Sequence, residues 1–433
     1  MRIILTIAFI GLFNSYSQNI KVYFNQSVDN TISSITDAHQ SSNLDDTICA
    51  IINASNVTLD IAVWDNGSTK IVTALNNAYT RGVQVRYISA TNSLNSALTG
   101  LNSNIPLLKR TANLTVDVMH NKFVIADNFT LLTGSMNFGS GSMFNDYNNI
   151  VITKDANLAQ AYTTEFNEMW GSTGAQPNMS NSKFGPDKTD NTTHTFTIGT
   201  STIQLYFSPT DNTTTQIVNA INSADHTLDI AMFTFINNDL GDAVIAAKNR
   251  GVTVRCIIEN INYFGSEYAG LLSAGINVLS HDATANDFHH KYCIVDAMYS
   301  SSDPLVVTGS HNWTNSAETD NDENTLIIHD ETIANQYTEE FSKRFGELGG
   351  VGITEQNTNS ETLLFPNPNN GTFQLKTGET IKKIEIVNVL GETIYSLSNI
   401  NASEVIHLNL STGIYFVRIK NAQSSYTEKL IVE

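Results

Sequence analysis

The chain repeats itself at a constant spacing, and this repeat limits what it can fold into. Residues 59–62 read Leu-Asp-Ile-Ala and so do residues 228–231, while Arg-Gly-Val at residues 81–83 recurs at residues 250–252. Both pairs have the same offset along the chain. A constant offset of this kind indicates an internal duplication that produces two structurally equivalent halves.

The spacing changes only where one copy carries an insertion. Thr-Gly-Ser-x-Asn at residues 133–137 recurs at residues 308–312, at a larger offset, because the second copy has six extra residues near 300–304. The first copy has about fourteen extra residues around residues 29–45. Insertions that leave the rest of a repeat unchanged mark surface loops.

Within each half, apolar patterns alternate between strand and helix. Residues 58–64 read as a strand, and a helical segment follows in which Ile71, Val72 and Leu75 are spaced for one buried face. The strand at residues 83–88 comes next. This alternation predicts an α/β fold with a largely parallel sheet covered by helices in each half.

Composition narrows the possible partners and the compartment. The 433 residues are 41% hydrophobic, which allows a large core and two or three domains. A net charge of −19 gives no general attraction to phosphate backbones or anionic membranes. The chain has three cysteines, too few and too scattered for a disulfide framework or a metal site, and we expect Cys256 and Cys293 to pack in the core.

The N-terminus has the pattern of a secretory signal peptide. Met1-Arg2 precedes an apolar run over residues 3–13, and small residues follow before Gln18. The run is too short to span a membrane, and the alternative is a buried first strand. We therefore predict that residues 1–17 are a signal peptide and that the mature protein is exported and soluble.

The C-terminal segment differs from the repeat. From Leu363 onward, short apolar runs alternate with Gly, Asn and Ser turns, which predicts a small β-sandwich of about 70 residues. Phe-Pro-Asn-Pro at residues 365–368, Leu-Ser-Thr-Gly-Ile-Tyr at 410–415 and Lys-Leu-Ile-Val at 429–432 resemble the C-terminal sorting domain of the Bacteroidetes type IX secretion system. That resemblance implies translocation by this machinery to the cell surface or outside; a carbohydrate-binding sandwich is the alternative.

The chemistry of the repeat is concentrated in one pattern, a histidine, a lysine two residues on and an aspartate five beyond that. On an extended segment, alternate residues face the same side, so each copy presents an imidazole and an ammonium together. The pattern consists of His120, Lys122 and Asp127 in the first copy and His289, Lys291 and Asp296 in the second.

This doubled H-x-K-x(4)-D signature, each copy followed by G-S-x-N, resembles the phospholipase D superfamily over about residues 20–345. The resemblance implies two α/β halves packed about a pseudo-twofold axis with both motifs at one cleft, and it implies no cofactor or metal. We expect a monomer. The expected organisation is a signal peptide at 1–17, halves at 19–172 and 199–348, linkers at 173–198 and 349–361, and the sorting domain at 362–433.

The motif residues suit phosphodiester hydrolysis. A neutral imidazole can attack phosphorus to form a phosphohistidine, while a protonated imidazole on the far side protonates the leaving alkoxide. Lys122 and Lys291 would hold the nonbridging oxygens. The residues expected to help them bind phosphate are Asn137, Asn312, Ser135 and Ser310.

One departure from the family pattern concerns the glutamate that orients the catalytic histidine. The second copy has Glu323, whereas we align Tyr147 with that position in the first copy. Glu323 is then expected to orient His289, and His120 has no carboxylate partner unless Asp146 substitutes. Family resemblance makes His120 the nucleophile and His289 the acid, an order that this departure leaves open.

The sequence predicts supporting or non-catalytic roles for most of the other residues near the motifs. We expect Asp127 and Asp296 to support the site structurally, by holding the halves together or fixing the motif strand, more than to take part in the chemistry. His290 should point away from the phosphate site because its neighbours His289 and Lys291 face it. His311 is equally suited to face the substrate or to be an ordinary loop histidine.

The motif does not determine the substrate. Export and negative charge favour a phospholipid or another small phosphodiester, whereas the compact core favours a secreted metal-independent nuclease. A binding protein on a degenerate scaffold is a third possibility, although neither copy has lost a motif histidine or lysine. Tyr263 and Phe264 could line an acyl channel or stack on bases, and we favour packing beneath a loop.

Overall fold

A computed structural model describes residues 19–33, 36–110, 118–282, 284–350, 363–376, 381–388, 393–400, 405–420 and 425–433. The chain forms two compact units, residues 1–350 and 351–433. The predicted signal peptide lies outside the described residues. No described helix is both long and apolar enough to cross a membrane.

In the first half of the larger unit, the described residues form one eight-stranded sheet with four α-helices. Its strands are β1 (Ile20–Phe24), β2 (His39–Gln40), β3 (Thr58–Val63), β4 (Gln84–Ala90), β5 (Leu107–Arg110), β6 (Lys122–Ala126), β7 (Thr130–Gly134) and β8 (Asn149–Lys154). Its helices are α1 (Leu44–Ala54), α2 (Thr69–Thr80), α3 (Ser140–Phe144) and α4 (Ala156–Trp170). The strand order is β2-β1-β8-β7-β6-β3-β4-β5.

The second half repeats this arrangement. Its strands are β9 (Thr195–Ile198), β10 (Ser201–Ser208), β11 (Thr227–Met232), β12 (Thr253–Ile258), β13 (Asn277–Ser280), β14 (Lys291–Val295), β15 (Leu305–Gly309) and β16 (Glu323–His329). Its helices are α5 (Thr213–Asn222), α6 (Asn238–Asn249), α7 (Tyr268–Ser273), α8 (Asn315–Thr319) and α9 (Glu331–Glu347). The strand order is β13-β12-β11-β14-β15-β16-β10-β9.

The predicted elements are present, but the prediction of a largely parallel sheet is wrong. The pairs β3–β4 and β4–β5 are parallel, as strand-helix-strand units require, whereas β3–β6, β6–β7 and β7–β8 are antiparallel. The reason is the short connection after β6: only residues 127–129 separate it from β7, which is too few for a crossover. The equivalent connection after β14 spans residues 296–304 and contains the six extra residues.

The helix predicted from the apolar spacing forms as expected. Ser68 caps α2 by accepting a hydrogen bond from the Ile71 amide, and the side chains of Ile71, Val72 and Leu75 are buried. The helix ends before Gly82, whose φ of +93° lies in the left-handed region that favours glycine.

The two halves share one core in which α4 and α9 pack with both sheets. Hydrogen bonds cross between the halves in matched pairs: Thr133 Oγ1 donates to Asn324 Oδ1 over 2.7 Å, and Thr308 Oγ1 donates to Asn149 Oδ1 over 3.0 Å. The pseudo-twofold axis therefore exchanges Asn149 with Asn324, at the same offset that relates the two G-S-x-N segments. Cys49, Cys256 and Cys293 are buried and unpaired, in agreement with the prediction that Cys256 and Cys293 pack in the core.

The smaller unit is all-β, as predicted, with a three-stranded sheet, a four-stranded sheet and one apolar core. Its strands are β17 (Leu363–Phe365), β18 (Thr372–Lys376), β19 (Ile381–Val387), β20 (Thr393–Ile400), β21 (Val405–His407), β22 (Gly413–Lys420) and β23 (Ser425–Val432).

Candidate active site

Both motif histidines line a single cleft of about 580 Å³ between the halves. In each half the motif strand, β6 or β14, begins at the lysine, and the histidine lies two residues earlier. Lys122 Nζ donates to the His120 carbonyl over 2.6 Å, and Lys291 Nζ donates to the His289 carbonyl over 2.8 Å. Each ammonium is thus fixed next to its imidazole.

His120 is held by a carboxylate from the opposite half. Its Nδ1 lies 2.9 Å from both carboxylate oxygens of Glu323, which is fully buried at the start of β16. The prediction that Glu323 orients His289 is therefore wrong. The cause is that the segment before β6 runs beside the segment before β16, where the His120 amide donates to the Asp322 carbonyl over 3.0 Å.

This contact defines the tautomer of His120. The Nδ1–H donates to the carboxylate, so Nε2 is the nitrogen that carries the free lone pair. Burial lowers the His120 pKa to about 4, although the adjacent Glu323 partly opposes this. Burial alone would raise the Glu323 pKa, but His120 and Lys122 outweigh it and lower the pKa to about 2. At neutral pH the pair is a neutral imidazole beside a carboxylate.

His289 has an amide partner instead of a carboxylate. Its Nδ1 lies 2.9 Å from Asn148 Oδ1, and the Asn148 amide nitrogen donates to the Ser142 carbonyl over 2.9 Å, so the amide oxygen faces the imidazole as an acceptor. The pKa of His289 lies well below 6.5 because of its burial and the nearby Lys291 and Lys122.

Asn148 is the counterpart of Glu323, so the alignment of Tyr147 with that glutamate is wrong. The Ser135 amide donates to the carbonyl of the residue after Asn148, and the Ser310 amide donates to the carbonyl of the residue after Glu323. Asp146 does not substitute as the His120 partner, because Glu323 already contacts that imidazole.

Lys122 and Lys291 are both buried, and burial of their positive charges costs free energy. Burial lowers the Lys122 pKa to about 8, and burial together with Lys122 holds the Lys291 pKa well below its usual value. A phosphodiester bound between these ammonium groups would offset their desolvation and mutual repulsion.

The serines of the G-S-x-N segments hold the partners of the histidines. Ser310 Oγ donates to Glu323 over 2.6 Å, and Ser135 Oγ donates to Asn148 Oδ1 over 2.8 Å. Both serines are fully buried and act here as positioning residues; their role in binding phosphate stays a prediction.

The asparagines of the same segments are placed differently. Asn137 lines the cleft, and its buried Oδ1 accepts no hydrogen bond from the described residues. Asn312 also has a buried, unpartnered Oδ1 within that part of the chain, but it is not among the cleft-lining residues. Asn137 is therefore better placed than Asn312 to contact a substrate in the cleft.

The motif aspartates end the motif strands far from the imidazoles. Asp127 accepts hydrogen bonds from the amides of residues 56, 57 and 58, and Asp296 accepts from those of residues 225, 226 and 227. Both have positive φ values, 54° and 49°. They fix the turn after the strand within their own half and, in these contacts, do not join the halves; a direct part in the chemistry stays a prediction.

His290 points away from the cleft, as predicted. It is buried, with Nε2 3.3 Å from Glu340 and Nδ1 3.2 Å from the Asn149 amide nitrogen. His311 is buried with Nε2 3.7 Å from Glu318, too far for a hydrogen bond, and it does not line the cleft.

The cleft wall is acidic and aromatic around its cationic centre. Asp65, Asp146 and Asp287 line it, together with Trp64 and Phe233. Lys291 Nζ lies 4.9 Å from the centroid of the Phe233 ring. Elsewhere in the described chain, Asp190, His194 and Asp211 bring possible metal-ligand atoms within 4.8 Å of one another, but His194 Nδ1 already contacts the Leu205 carbonyl at 2.8 Å.

The family model "Cardiolipin synthase, PLD-like domain" matches residues 48–170 and 217–345, more than half of the chain. The chain belongs to the phospholipase D superfamily. This superfamily match covers both motif strands, and its two segments correspond to the two halves. The protein is accordingly a member of a family of phosphodiester hydrolases and transferases.

Superfamily relatives agree with this assignment. Mitochondrial cardiolipin hydrolases from Chlamydomonas reinhardtii and Homo sapiens are both 35% identical to the chain, over 139 and 142 residues. Each match covers 32% of this chain and 59% or 53% of the relative, so the chain spans little more than half the length of these relatives. The phosphatidylserine synthase of Haemophilus influenzae shares the fold, with a TM-score of 0.54 and 11% identity over 76% of this chain and 86% of that one.

The model "Secretion system C-terminal sorting domain" matches residues 363–433. This match identifies the smaller unit as a type IX sorting domain and indicates export to the cell surface or outside.

Sequence reasoning missed two features of the active site, the role of Asn148 and the acidic wall of the cleft. Repeat spacing could have revealed Asn148, because the offset that relates Ser135 to Ser310 also relates Asn148 to Glu323.

Proposed function

We propose that this protein is a secreted phospholipase D-type phosphodiesterase that hydrolyses the head-group phosphodiester of a phospholipid through a phosphohistidine. The observation that carries this proposal is the pair of unlike imidazoles at one cleft, each paired with a buried lysine. His120 Nε2 carries a free lone pair, and His289 lies on the same cleft with a neutral partner.

The first half of the reaction breaks the bond to the leaving alcohol. His120 Nε2 attacks phosphorus, and the electron pair of the breaking P–O bond passes to the leaving oxygen, which takes a proton from His289. Lys122 and Lys291 neutralise the nonbridging oxygens, and the Asn137 amide nitrogen donates a hydrogen bond to one of them. In the second half, neutral His289 takes a proton from water, the hydroxide attacks phosphorus, and His120 leaves with the P–N electron pair.

The acidic wall favours a lipid over a nucleic acid. A polyanion that enters the cleft would meet Asp65, Asp146 and Asp287 in addition to a net charge of −19. The interpretation of Tyr263 and Phe264 as residues packed beneath a loop is wrong, because their side chains are 58% and 101% exposed. Such exposed apolar side chains suit contact with a lipid surface.

Asn260 holds that loop beside the cleft, and its backbone amide donates to the carbonyl of the cleft residue Phe233 over 2.9 Å. Asn260 Nδ2 donates to Thr234 Oγ1 over 2.7 Å, and Thr234 follows the cleft residue Phe233. Leu94, which the repeat relates to Tyr263, lines the cleft and is 54% exposed. The named activity of the cardiolipin hydrolases also supports a phospholipid substrate.

The test compares lipid and nucleic acid substrates. Purified protein with chelator is incubated with vesicles of phosphatidylcholine, phosphatidylethanolamine or cardiolipin, and separately with plasmid and single-stranded DNA. We expect head-group release and phosphatidic acid formation from lipid, with loss of at least about 10³-fold in His120→Asn and His289→Asn. His226→Asn, which changes an exposed histidine stacked on Tyr299, is the matched control and should keep wild-type activity.

Trapping of the intermediate tests the mechanism. An alkaline quench of a single turnover on ³²P-labelled lipid should leave label on wild-type protein and none on His120→Asn. Cleavage of DNA alone would replace the lipid proposal with a nuclease. Failure to cleave either class would favour a binding protein.

The same proposal extends to processing and organisation. We propose that residues 1–17 direct export from the cytoplasm and are removed, that the first half spans 19–172, and that 349–361 connect the second half to the sorting domain. The expected connection 173–198 is too long, because β9 (Thr195–Ile198) pairs with β10 in the second sheet and so belongs to the second half. Mass spectrometry of the exported protein tests the first cleavage, which should place the new N-terminus at or next to Gln18.

A further inference from the structure

The pseudo-twofold axis relates the residues of one half to those of the other, yet the carboxylates that line the cleft are not repeated at the related positions. The Phe138 amide donates to the Asp65 carbonyl over 3.1 Å, and the Trp313 amide donates to the Thr234 carbonyl over the same distance. These matched contacts make Thr234 the counterpart of Asp65. A charged side chain on one side thus corresponds to an uncharged one on the other.

Asp146 and Asp287 also have uncharged residues at the related positions of the other half. The Asp287 amide donates to Asp146 Oδ1 over 3.2 Å, and in the equivalent place the Val118 amide donates to Asn321 Oδ1 over 3.1 Å. Asp146 therefore corresponds to an amide and Asp287 to an apolar side chain. All three carboxylates of the cleft wall lie where the pseudo-symmetric position is uncharged.

Asp65 has a buried oxygen without a protein partner. The residue is 5% exposed, and its Oδ1 accepts no hydrogen bond from any described residue. A buried carboxylate oxygen in this state is costly unless a ligand satisfies it. A Cβ on Gly139 would lie 3.1 Å from this Oδ1, so the neighbouring glycine keeps the space beside the carboxylate open.

The aromatic residues of the cleft add a second attraction for a cation. Trp64 is partly exposed and lines the cleft beside Asp65. An indole face is the most favourable aromatic surface for an ammonium group. Burial raises the Asp65 pKa to about 6 despite the opposing effect of Lys122, and a bound cation would favour the ionised carboxylate and lower this pKa.

We propose that Asp65, with Asp146 and Asp287, forms a subsite for a positively charged group, an amine or quaternary ammonium, on the alcohol portion of the phosphodiester. This proposal rests on the proposed function, because it adds a head-group preference to the same cleft. The lysine pair then binds the phosphate while the carboxylates bind the cation, so a zwitterionic head group satisfies both charges. A head group without a cation leaves Asp65 unpaired.

Binding measurements test the subsite without turnover. Calorimetry at pH 7.5 compares phosphocholine with glycerol 3-phosphate on the purified full chain. Wild type should bind phosphocholine about tenfold more tightly, and Asp65→Asn should lose most of that preference, a change of about 1.4 kcal/mol. Asp146→Asn should reduce the preference as well. Thr234→Asn, the matched change at the pseudo-symmetric position, should leave the preference within twofold of wild type.

Turnover of bis(4-nitrophenyl) phosphate, which has no cation, separates this proposal from the proposed function. Turnover without a preference for phosphocholine would refute the subsite and keep the phosphodiesterase. Selective binding of phosphocholine without turnover of any phosphodiester would keep the subsite and refute the hydrolase. An unchanged preference in both Asp65→Asn and Asp146→Asn, with melting temperatures close to wild type, would also overturn the subsite.

Discussion

Replacement of Asn148 by aspartate should convert His289 into an acid that works at higher pH. Asn148 Oδ1 accepts from His289 Nδ1 over 2.9 Å, at the position where Glu323 supports His120. The proposed role of His289 needs the imidazolium, but burial and the two lysines hold its pKa well below 6.5. We therefore expect the wild-type rate to fall as the pH rises through the His289 pKa.

The size of the effect follows from the contact distance. Opposite charges 2.9 Å apart attract by about 6 kcal/mol at an effective dielectric constant of ~20. Burial of the new carboxylate offsets most of this gain, which leaves about 1.5–3 kcal/mol in favour of the imidazolium, or about one to two pH units. Because the His289 pKa rises, protonated enzyme persists to higher pH, and the descending limb moves upward.

The assay is kcat/KM for a soluble phosphodiester from pH 4 to 9, which reports the essential groups of the free enzyme. Asn148→Asp should shift the descending limb up by about one to two units and lower the melting temperature, because the variant loses the hydrogen bond from the Asn148 amide nitrogen to the Ser142 carbonyl. Glu323→Gln is the reciprocal variant and should lower the rate without moving that limb. If the limb moves with Glu323→Gln and not with Asn148→Asp, then His120 is the acid and the assigned order is wrong.

Three further substitutions test how the site is supported. Asp127→Ala removes the acceptor for three backbone amides and should lower the free energy of unfolding in urea by about 2 kcal/mol; an unchanged value would contradict a structural role. Gly309→Ala places a Cβ in steric overlap with the Asn324 carbonyl oxygen at a φ of +149°, so a loss of about 3 kcal/mol or more is expected in the same measurement, and a wild-type midpoint would count against it. Lys188→Met leaves buried Glu165 without its cation and should lower the free energy of unfolding by about 3–5 kcal/mol. The control Lys183→Met changes an exposed lysine and should lower it by less than about 1 kcal/mol. Equal losses in the two variants would argue against a buried network.

Local pattern and repeat spacing were enough to predict the elements of each half. Apolar spacing predicted α2 with its buried face, and the constant offset identified the paired motif strands. The direction of strands after β6 was not predictable from alternation alone. It depends on a short connection that closes a hairpin, and a turn of that length is visible only once both strand ends are known.

The partners of the histidines were mispredicted for a different reason. Glu323 contacts His120 from the other half of the chain, because hydrogen-bonded segments cross between the halves at the cleft. Periodicity within one half carries no information about such a contact. The contacts of the serines were also not predictable from one half: both belong to a motif expected to bind phosphate, and the fold directs Ser135 to Asn148 and Ser310 to Glu323.

Two differences between the halves, the carboxylates of the cleft wall and the neutral partner of His289, bear on the orientation of the substrate. Asp287 lies two residues before His289, and both Asp287 and Asp146 interact electrostatically with Lys291. Asp65, in contrast, interacts with Lys122, and Trp64 packs edge-on against His120 with ring centroids 5.8 Å apart. In the proposed subsite, a cation held by Asp146 and Asp287 places the alcohol portion of the substrate on the His289 side, where the leaving oxygen requires a proton, and in-line displacement then puts the nucleophile at His120. A cation held by Asp65 and Trp64 instead places the alcohol portion beside His120 and reverses the order, so the pH profiles of Asn148→Asp and Glu323→Gln also decide which carboxylate holds the cation.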